Sequence, residues 1–287
     1  MARENARIAR EEARQRARRR KWYAQGSIAA IILVGLAIAG FVVVNAVQPA
    51  GPGPKNMLSD GIVMTSTTQA TTTAALKSGA SPVATKKDSS TSVAHIVTYI
   101  DYQCPYCQQF ETTNASQLGT WLNGGFATLE IHPIALLDSQ SSGKKYSTRS
   151  ANAAACVANY QPNTFFAVNS ALFAAQPKEG ASGLTDAKIL SIVKGAGASG
   201  SAIEKCVHDQ TFKDWAGAAT NRALTKPLPN STLTKASGTP TILVNGTQYN
   251  GSLTDADAFA SFVQGIMTGG TDSTSTPTPT PAPTPTP

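Results

Sequence analysis

The chain has 287 residues, 41% hydrophobic and 14% charged, with a formal net charge of +7. Almost all of that charge lies in the first 21 residues, where nine basic side chains (Arg3, Arg7, Arg10, Arg14, Arg16, Arg18, Arg19, Arg20, Lys21) face only Glu4, Glu11 and Glu12. The remainder is close to neutral, which argues against a basic body built to bind nucleic acid.

The segment after the basic leader explains it better than nucleic acid does. No charged residue occurs between Lys21 and Lys55, and residues 27–47 are almost wholly apolar. As a helix this run would be about 31 Å long, enough for a hydrocarbon core of roughly 30 Å. Basic residues before the span and few after it predict a single-pass anchor with a cytoplasmic leader, residues 1–26, and an extracytoplasmic body. Trp22 and Tyr23 stand where interfacial aromatics belong. A cleaved signal peptide is the competing reading, with Val44-Asn45-Ala46 as a small-residue cleavage site. The length of the leader and of the apolar run favours a retained anchor, and both readings export the rest of the chain.

Residues 48–59, rich in Pro and Gly, read as a linker. Gly61-Ile62-Val63-Met64 reads as a short strand, and residues 65–92, rich in Thr, Ser and Ala, as a long surface connection. Ala94 to Ile100 is the first core strand, followed by helical spacing at Phe110, Asn114, Leu118, Trp121 and Leu122 and a stop at Gly124-Gly125. Phe126 to Ile131 is a further strand. Residues from about 140 to 225 read as successive helices, broken at Gln161-Pro162, Gln176-Pro177, Gly195-Ala196-Gly197 and Ser199-Gly200. Thr241 to Val244 is a strand, Asn245-Gly246 a hairpin turn, and Asp255 to Met267 a closing helix. Residues 269–287 alternate Thr and Pro and predict an extended tail without a core. The pattern is α/β, one domain over residues 60–268 with a helical insertion.

The chemistry is concentrated in Cys104-Pro105-Tyr106-Cys107, which follows the first core strand and opens a helix. Two cysteines so spaced can close a small disulfide ring, with the first sulfur exposed and the second tucked behind it. The free N–H groups and positive dipole end of the helix stabilise a thiolate at the first position. A plain structural disulfide is the bland alternative. Zinc is disfavoured: Cys156 and Cys206 form no second C-x-x-C, and His95, His132 and His208 show no ligand spacing. No metal and no cofactor is expected. Of the three pairings that four cysteines allow, proximity favours Cys104 with Cys107 and leaves Cys156 with Cys206, a brace for the insertion. An electron relay between the two pairs is the other reading of Cys156 and Cys206. Asp101 precedes the motif, where it either raises a thiol's pKa, if buried, or solvates a strand end. His95 and His132 read as structural histidines.

A second mark, Gly238-Thr239-Pro240-Thr241, stands before an apolar strand. Together with Asp101-Tyr102-Gln103-Cys104-Pro105-Tyr106-Cys107 and the helical insertion, it resembles the DsbA family, in particular the membrane-anchored or secreted DsbA-like proteins of actinobacteria. The resemblance covers about residues 60–268. It implies a thioredoxin-like fold with an inserted helical domain, Cys104 as the reactive cysteine and Cys107 as its buried partner. It also implies that Pro105 and Tyr106 tune the potential, that Thr239 and a cis-Pro240 hold the substrate backbone, and that Cys156 and Cys206 form a structural disulfide. Disulfide formation in exported, cysteine-containing proteins is the implied activity, with a quinone-linked membrane reductase of the vitamin K epoxide type as reoxidant. The chain departs from the family at Tyr106, where DsbA enzymes often carry histidine. Pro-Tyr is the glutaredoxin pairing and makes a reductase or isomerase the next reading. A wall-facing binding module with two structural disulfides is the reading outside enzymes.

Overall fold

The computed structural model describes residues 51–86 and 92–269. The basic leader, the expected span at residues 27–47 and residues 270–287 lie outside the described residues, and no described helix is long and apolar enough to cross a membrane. Thirteen principal elements follow one another: β1 (Ile62–Ser66), β2 (Gln69–Ala70), β3 (Ala94–Ile100), α1 (Pro105–Asn123), β4 (Ala127–Pro133), α2 (Tyr146–Tyr160), α3 (Phe165–Ala174), α4 (Asp186–Gly195), α5 (Ser201–His208), α6 (Lys213–Thr225), β5 (Thr241–Val244), β6 (Thr247–Gln248) and α7 (Ala256–Met267).

The strands form one mixed sheet in the order β2-β1-β4-β3-β5-β6. Among the described residues only β3 and β4 are parallel, in register from Ala94 opposite Ala127 to Ile100 opposite Pro133, and the other pairs are antiparallel. A parallel pair requires a crossover, and α1 supplies it. β3 is buried along all seven residues, as a near-continuous apolar run in a central strand should be. Asn245 and Gly246 both take positive φ, 50° and 89°, which gives the β5–β6 hairpin the turn its strands require.

Side chains alternate across the sheet, so Val97 and Tyr99 share a face with His95, and Thr128 with Glu130 and His132. Glu130 is buried there, 3.1 Å from His132 Nε2 and 3.3 Å from His95 Nε2, and accepts from Ser59 Oγ at 2.5 Å and Thr85 Oγ1 at 2.9 Å. Burial opposes its charge, but these partners together hold the carboxyl well below the usual range. His95 and His132 are therefore structural, as the sequence pattern indicates.

Between β4 and β5 the five helices α2 to α6 build the insertion. α2 is its axis: Tyr146, Ser147 and residues 150–158 are buried, with a run of small side chains from Ala153 to Ala155 that lets neighbouring helices approach closely. Cys156 of α2 is bonded to Cys206 of α5, with Cα atoms 5.8 Å apart. Asn152 Oδ1 accepts from Phe212 N–H at 2.7 Å, and Thr220 Oγ1 of α6 accepts from Ala135 N–H at 2.8 Å, so the insertion is sewn to the end of β4 as well as to itself.

The described part of the expected linker, residues 51–59, is not a linker. Met57 is fully buried, Gly53 N–H donates to Leu76 O, Asn56 N–H to Thr73 O, and Asn56 Nδ2 to Ala158 O of α2. A Cβ on Gly53 would stand 3.1 Å from both Leu76 Cβ and Trp215 Cδ1, so glycine there serves close packing rather than flexibility. Asp60 completes the clasp, its carboxylate accepting from Arg222 Nε at 2.6 Å, Arg222 Nη2 at 2.8 Å and Trp215 Nε1 at 3.2 Å. Much of residues 65–86 is likewise structured: β1 runs on to Ser66, β2 pairs back, Thr71 N–H donates to Val63 O, and Leu76 is buried. Composition misleads at both places because two or three apolar residues in a Pro-, Gly- or Thr-rich stretch suffice to anchor it.

Candidate active site

The sulfurs stand where β3 gives way to α1. Asp101 O accepts from Cys104 N–H at 3.0 Å, closing a turn, and Cys104 then serves as N-cap of α1 in extended conformation (φ −77°, ψ 117°). Pro105 follows at the first helical position, where its missing N–H costs nothing and its fixed φ suits the helix. As N-cap, Cys104 stands at the end of α1 where the N–H groups of the first turn have no intrahelical partner. Cys107 lies one turn in, fully buried, and accepts from Asp101 N–H at 3.5 Å. Both cysteines are thiols in this structure.

Across from them, the peptide bond from Thr239 to Pro240 is cis, and Cys104 Sγ donates to Thr239 O at 3.2 Å. The expected pairing of the cysteine motif with a cis-proline loop is thus present in space, 135 residues apart in sequence. One expectation needs correcting. Cys104 is only 4% exposed, while Tyr106 beside it is 59% exposed. The sulfur lies against the Thr239 loop rather than open to solvent.

The two thiols are displaced in opposite directions. Hydrogen bonding from Cys107, aided by the Thr239 side chain, holds the Cys104 thiol below its ordinary value against the effect of burial. Burial, and then the neighbouring Cys104, push the Cys107 thiol well above it. Cys104 is therefore the more readily ionised thiol and Cys107 the one that keeps its proton, a division suited to exchange at the first sulfur.

The loop carrying Cys104 is clamped by residues of the insertion that sequence spacing does not reveal. Gln176 Nε2 donates to both Tyr102 O and Cys104 O at 3.0 Å, Gln108 Nε2 donates to Phe173 O at 2.8 Å, and Gln103 Nε2 reaches Gln140 O at 3.2 Å and Ala181 O at 3.3 Å. Tyr102 is fully buried, its ring 5.1 Å from that of Phe173 and its hydroxyl donating to Asn169 Oδ1. Asp101 is buried, not a solvated strand end.

Asn169 also donates to Glu111 Oε2 at 3.0 Å, while the other carboxyl oxygen of Glu111 has no hydrogen-bond partner among the described residues. Glu111 stands one turn beyond Cys107 on the buried face of α1, a position that i, i+4 spacing does make readable. Burial pushes its carboxyl up to about 7, with the Asn169 bond opposing. The folded value exceeds the unfolded one, so the stability from the protonated form is fully present below the ordinary carboxylate pKa and is lost as pH rises through about 7. Glu111→Gln keeps the shape without the ionisation. It is expected to exceed wild type by about 3 kcal/mol in urea unfolding at pH 8.5 and to match it at about pH 4. An equal difference at both pH values would contradict this account.

Comparison with known proteins agrees with the geometry. The family described as Thioredoxin matches residues 88–264. Among curated proteins, serine/threonine-protein kinase PknE of Mycobacterium tuberculosis (strain H37Rv) is 36% identical over 104 residues, 35% of this chain, and PknE of Mycobacterium bovis matches to the same degree; the matched region is 18% of each kinase's length. Among solved structures, the reduced disulfide bond oxidoreductase DsbG of M. tuberculosis is 27% identical, over 63% of this chain and 85% of that one, with a TM-score of 0.50. Oxidised M. tuberculosis DsbA is also 27% identical, over 61% and 83%, with the same score. BdbD of Bacillus subtilis, 16% identical over 77% and 100% with a TM-score of 0.52, shares the fold. From the sheet, the insertion, the cysteine pair facing a cis-proline, and these matches, the chain belongs to the thioredoxin family, as a DsbA-like member.

Proposed function

We propose that the protein is a membrane-tethered, extracytoplasmic thiol–disulfide oxidoreductase that introduces disulfides into exported proteins. The observation that carries this reading is the opposite displacement of the two thiols, Cys104 down and Cys107 up, at a helix N-terminus that faces the Thr239–Pro240 loop. In the oxidised enzyme a client thiolate attacks Cys104 Sγ, the Cys104–Cys107 bond breaks, and Cys107 leaves and takes up a proton. The mixed disulfide places the client's backbone against Thr239 and Pro240, held by strand-like hydrogen bonds. A second client thiolate attacks the first client sulfur and Cys104 leaves as a thiolate. The client loses two electrons and the enzyme's disulfide gains them. Because the helix N-terminus favours that thiolate, the reduced enzyme is the comfortable product and oxidation of the client runs downhill.

Reoxidation needs an acceptor of two electrons, and a membrane reductase related to the vitamin K epoxide enzyme is the partner the family resemblance implies. The anchor at residues 27–47 would keep the domain within its reach. Pro105 and Tyr106 set the strength of the oxidant. The buried Asp101 carboxyl beside the pair favours the second reading, a reductase or isomerase of the same fold, because its ionised form disfavours thiolates.

Glutathione equilibration of residues 49–287 decides between them. The oxidase reading expects a potential near −120 mV, whereas a value of about −230 mV or below would overturn it in favour of a reductase or isomerase.

A further inference from the structure

Behind the dithiol, where the active-site loop meets the insertion, lies a buried cluster that the exchange steps do not consume. Asp101 is fully buried. Its Oδ1 accepts from Gln103 N–H at 2.8 Å and from Ser147 Oγ at 2.7 Å, and its Oδ2 from Leu137 N–H at 2.8 Å. Two of these donors belong to the backbone. The third, Ser147, stands in the first turn of α2, fully buried, and is the one side chain the insertion contributes to this carboxyl. The backbone N–H of Asp101 itself donates to Cys107 Sγ at 3.5 Å, so the carboxyl and the dithiol are parts of one short loop.

An ionised carboxylate in this water-poor site repels thiolates at both cysteines. A donor that favours the ionised carboxylate therefore weakens the couple as an oxidant, and removing the donor strengthens it. We infer that Ser147 is a positioning residue for the Cys104–Cys107 couple: by donating to Asp101 it favours the ionised form of that carboxyl beside the dithiol and sets the couple's oxidising strength from within the insertion. The inference rests on the reading of Cys104 and Cys107 as the working pair.

The electrostatics agree with the geometry. Burial pushes the Asp101 carboxyl up to about 7, with Gln103, Leu137 and Ser147 each pulling it back. The titratable groups that face it are Cys104 and Cys107 at the start of α1, Asp138 from the connection between β4 and α2, and Tyr146 from α2. The carboxyl thus changes charge near neutral pH, where a single hydroxyl has the greatest leverage over its state.

The test uses the full chain in detergent. Glutathione equilibrium and the ultraviolet absorbance of the Cys104 thiolate are followed from pH 5.5 to 9 in wild type, Ser147→Ala, Ser147→Thr, Ser147→Val, Asp101→Asn and the Ser147→Ala/Asp101→Asn double variant. In wild type the profile is expected to inflect near pH 7. In Ser147→Ala the inflection is expected to move up by about one pH unit, and at pH 7.5 the reduced form is favoured about threefold more, or roughly 14 mV for a two-electron couple. Ser147→Thr keeps the wild-type profile, Asp101→Asn loses the inflection, and the double variant adds nothing to Asp101→Asn. Thr and Val share a shape and differ in the hydroxyl, so that pair decides the matter where the alanine variant folds poorly. A wild-type pair that cycles while Ser147→Ala and Ser147→Val superimpose on it overturns the inference alone. So does an equal shift with and without the Asp101 charge. A wild-type pair that does not equilibrate with glutathione at all overturns the exchange reading, and the inference with it.

Discussion

Cys104→Ser is expected to reduce thiol–disulfide exchange to the uncatalysed background, a loss of about three orders of magnitude or more, with the fold unchanged. The reason lies in the two sulfurs' different environments. Cys104 is the only sulfur of the pair with a route outward: it caps α1, it carries the lowered thiol, and it faces Thr239 O at 3.2 Å. Cys107 is fully buried, and its thiol is held protonated. Removing Cys107 therefore has a different signature. Cys107→Ser leaves a reactive Cys104 with no partner to resolve a mixed disulfide, so such adducts with client proteins accumulate and are released by reductant. Non-reducing gels of cells carrying each variant separate the two outcomes. Adducts that form equally on Cys104→Ser would mean that Cys107 is the attacked sulfur. Full exchange activity in Cys104→Ser would remove the exchange reading and leave a binding module with structural disulfides.

The parts of this site that sequence makes legible are those written locally. A C-x-x-C after an apolar strand and before a helical pattern places Cys104 as N-cap and Cys107 one turn in, because helix geometry leaves no other arrangement. The turn at Asn245-Gly246 and the breaks at Gln161-Pro162 and Gly195-Ala196-Gly197 mark their elements for the same reason, each residue type being required by a backbone conformation. Thr239-Pro240 is legible only beside the cysteine motif, since an isolated proline before a strand has many meanings. What stays hidden is non-local. Gln176, Asn169 and Ser147 are ordinary polar residues of helical runs, and only the packing of the insertion against the active-site loop gives them partners at Cys104 O, Glu111 and Asp101. The burial of Cys104 is hidden for the same reason, as it comes from a loop 135 residues away. At residues 51–59 and 65–86 the error has another source. Composition reports the average character of a stretch, whereas Met57, Leu76 and Asp60 act singly.

The second cysteine pair makes the other large prediction, this one in stability. Cys156→Ala with Cys206→Ala is expected to destabilise the domain by about 4 kcal/mol, the loop-entropy value for residues 50 apart in sequence, and to lower its melting temperature by roughly 10 °C. Alanine suits both positions: each cysteine is buried against small or apolar neighbours, so the double variant loses the bond with little new polar exposure. The expected effect on exchange is nil. Cys156 and Cys206 are 0% and 2% exposed, one in the axis helix of the insertion and one on α5, with no sulfur surface for a client or a reductant to attack. The electron-relay reading requires the reverse pattern, slower reoxidation of Cys104 and Cys107 with an almost unchanged melting temperature. Measuring both quantities on the one double variant separates brace from relay. A fall in melting temperature at constant exchange rate leaves the chain with one working pair, held in place by a bonded insertion that also supplies the clamp on its loop.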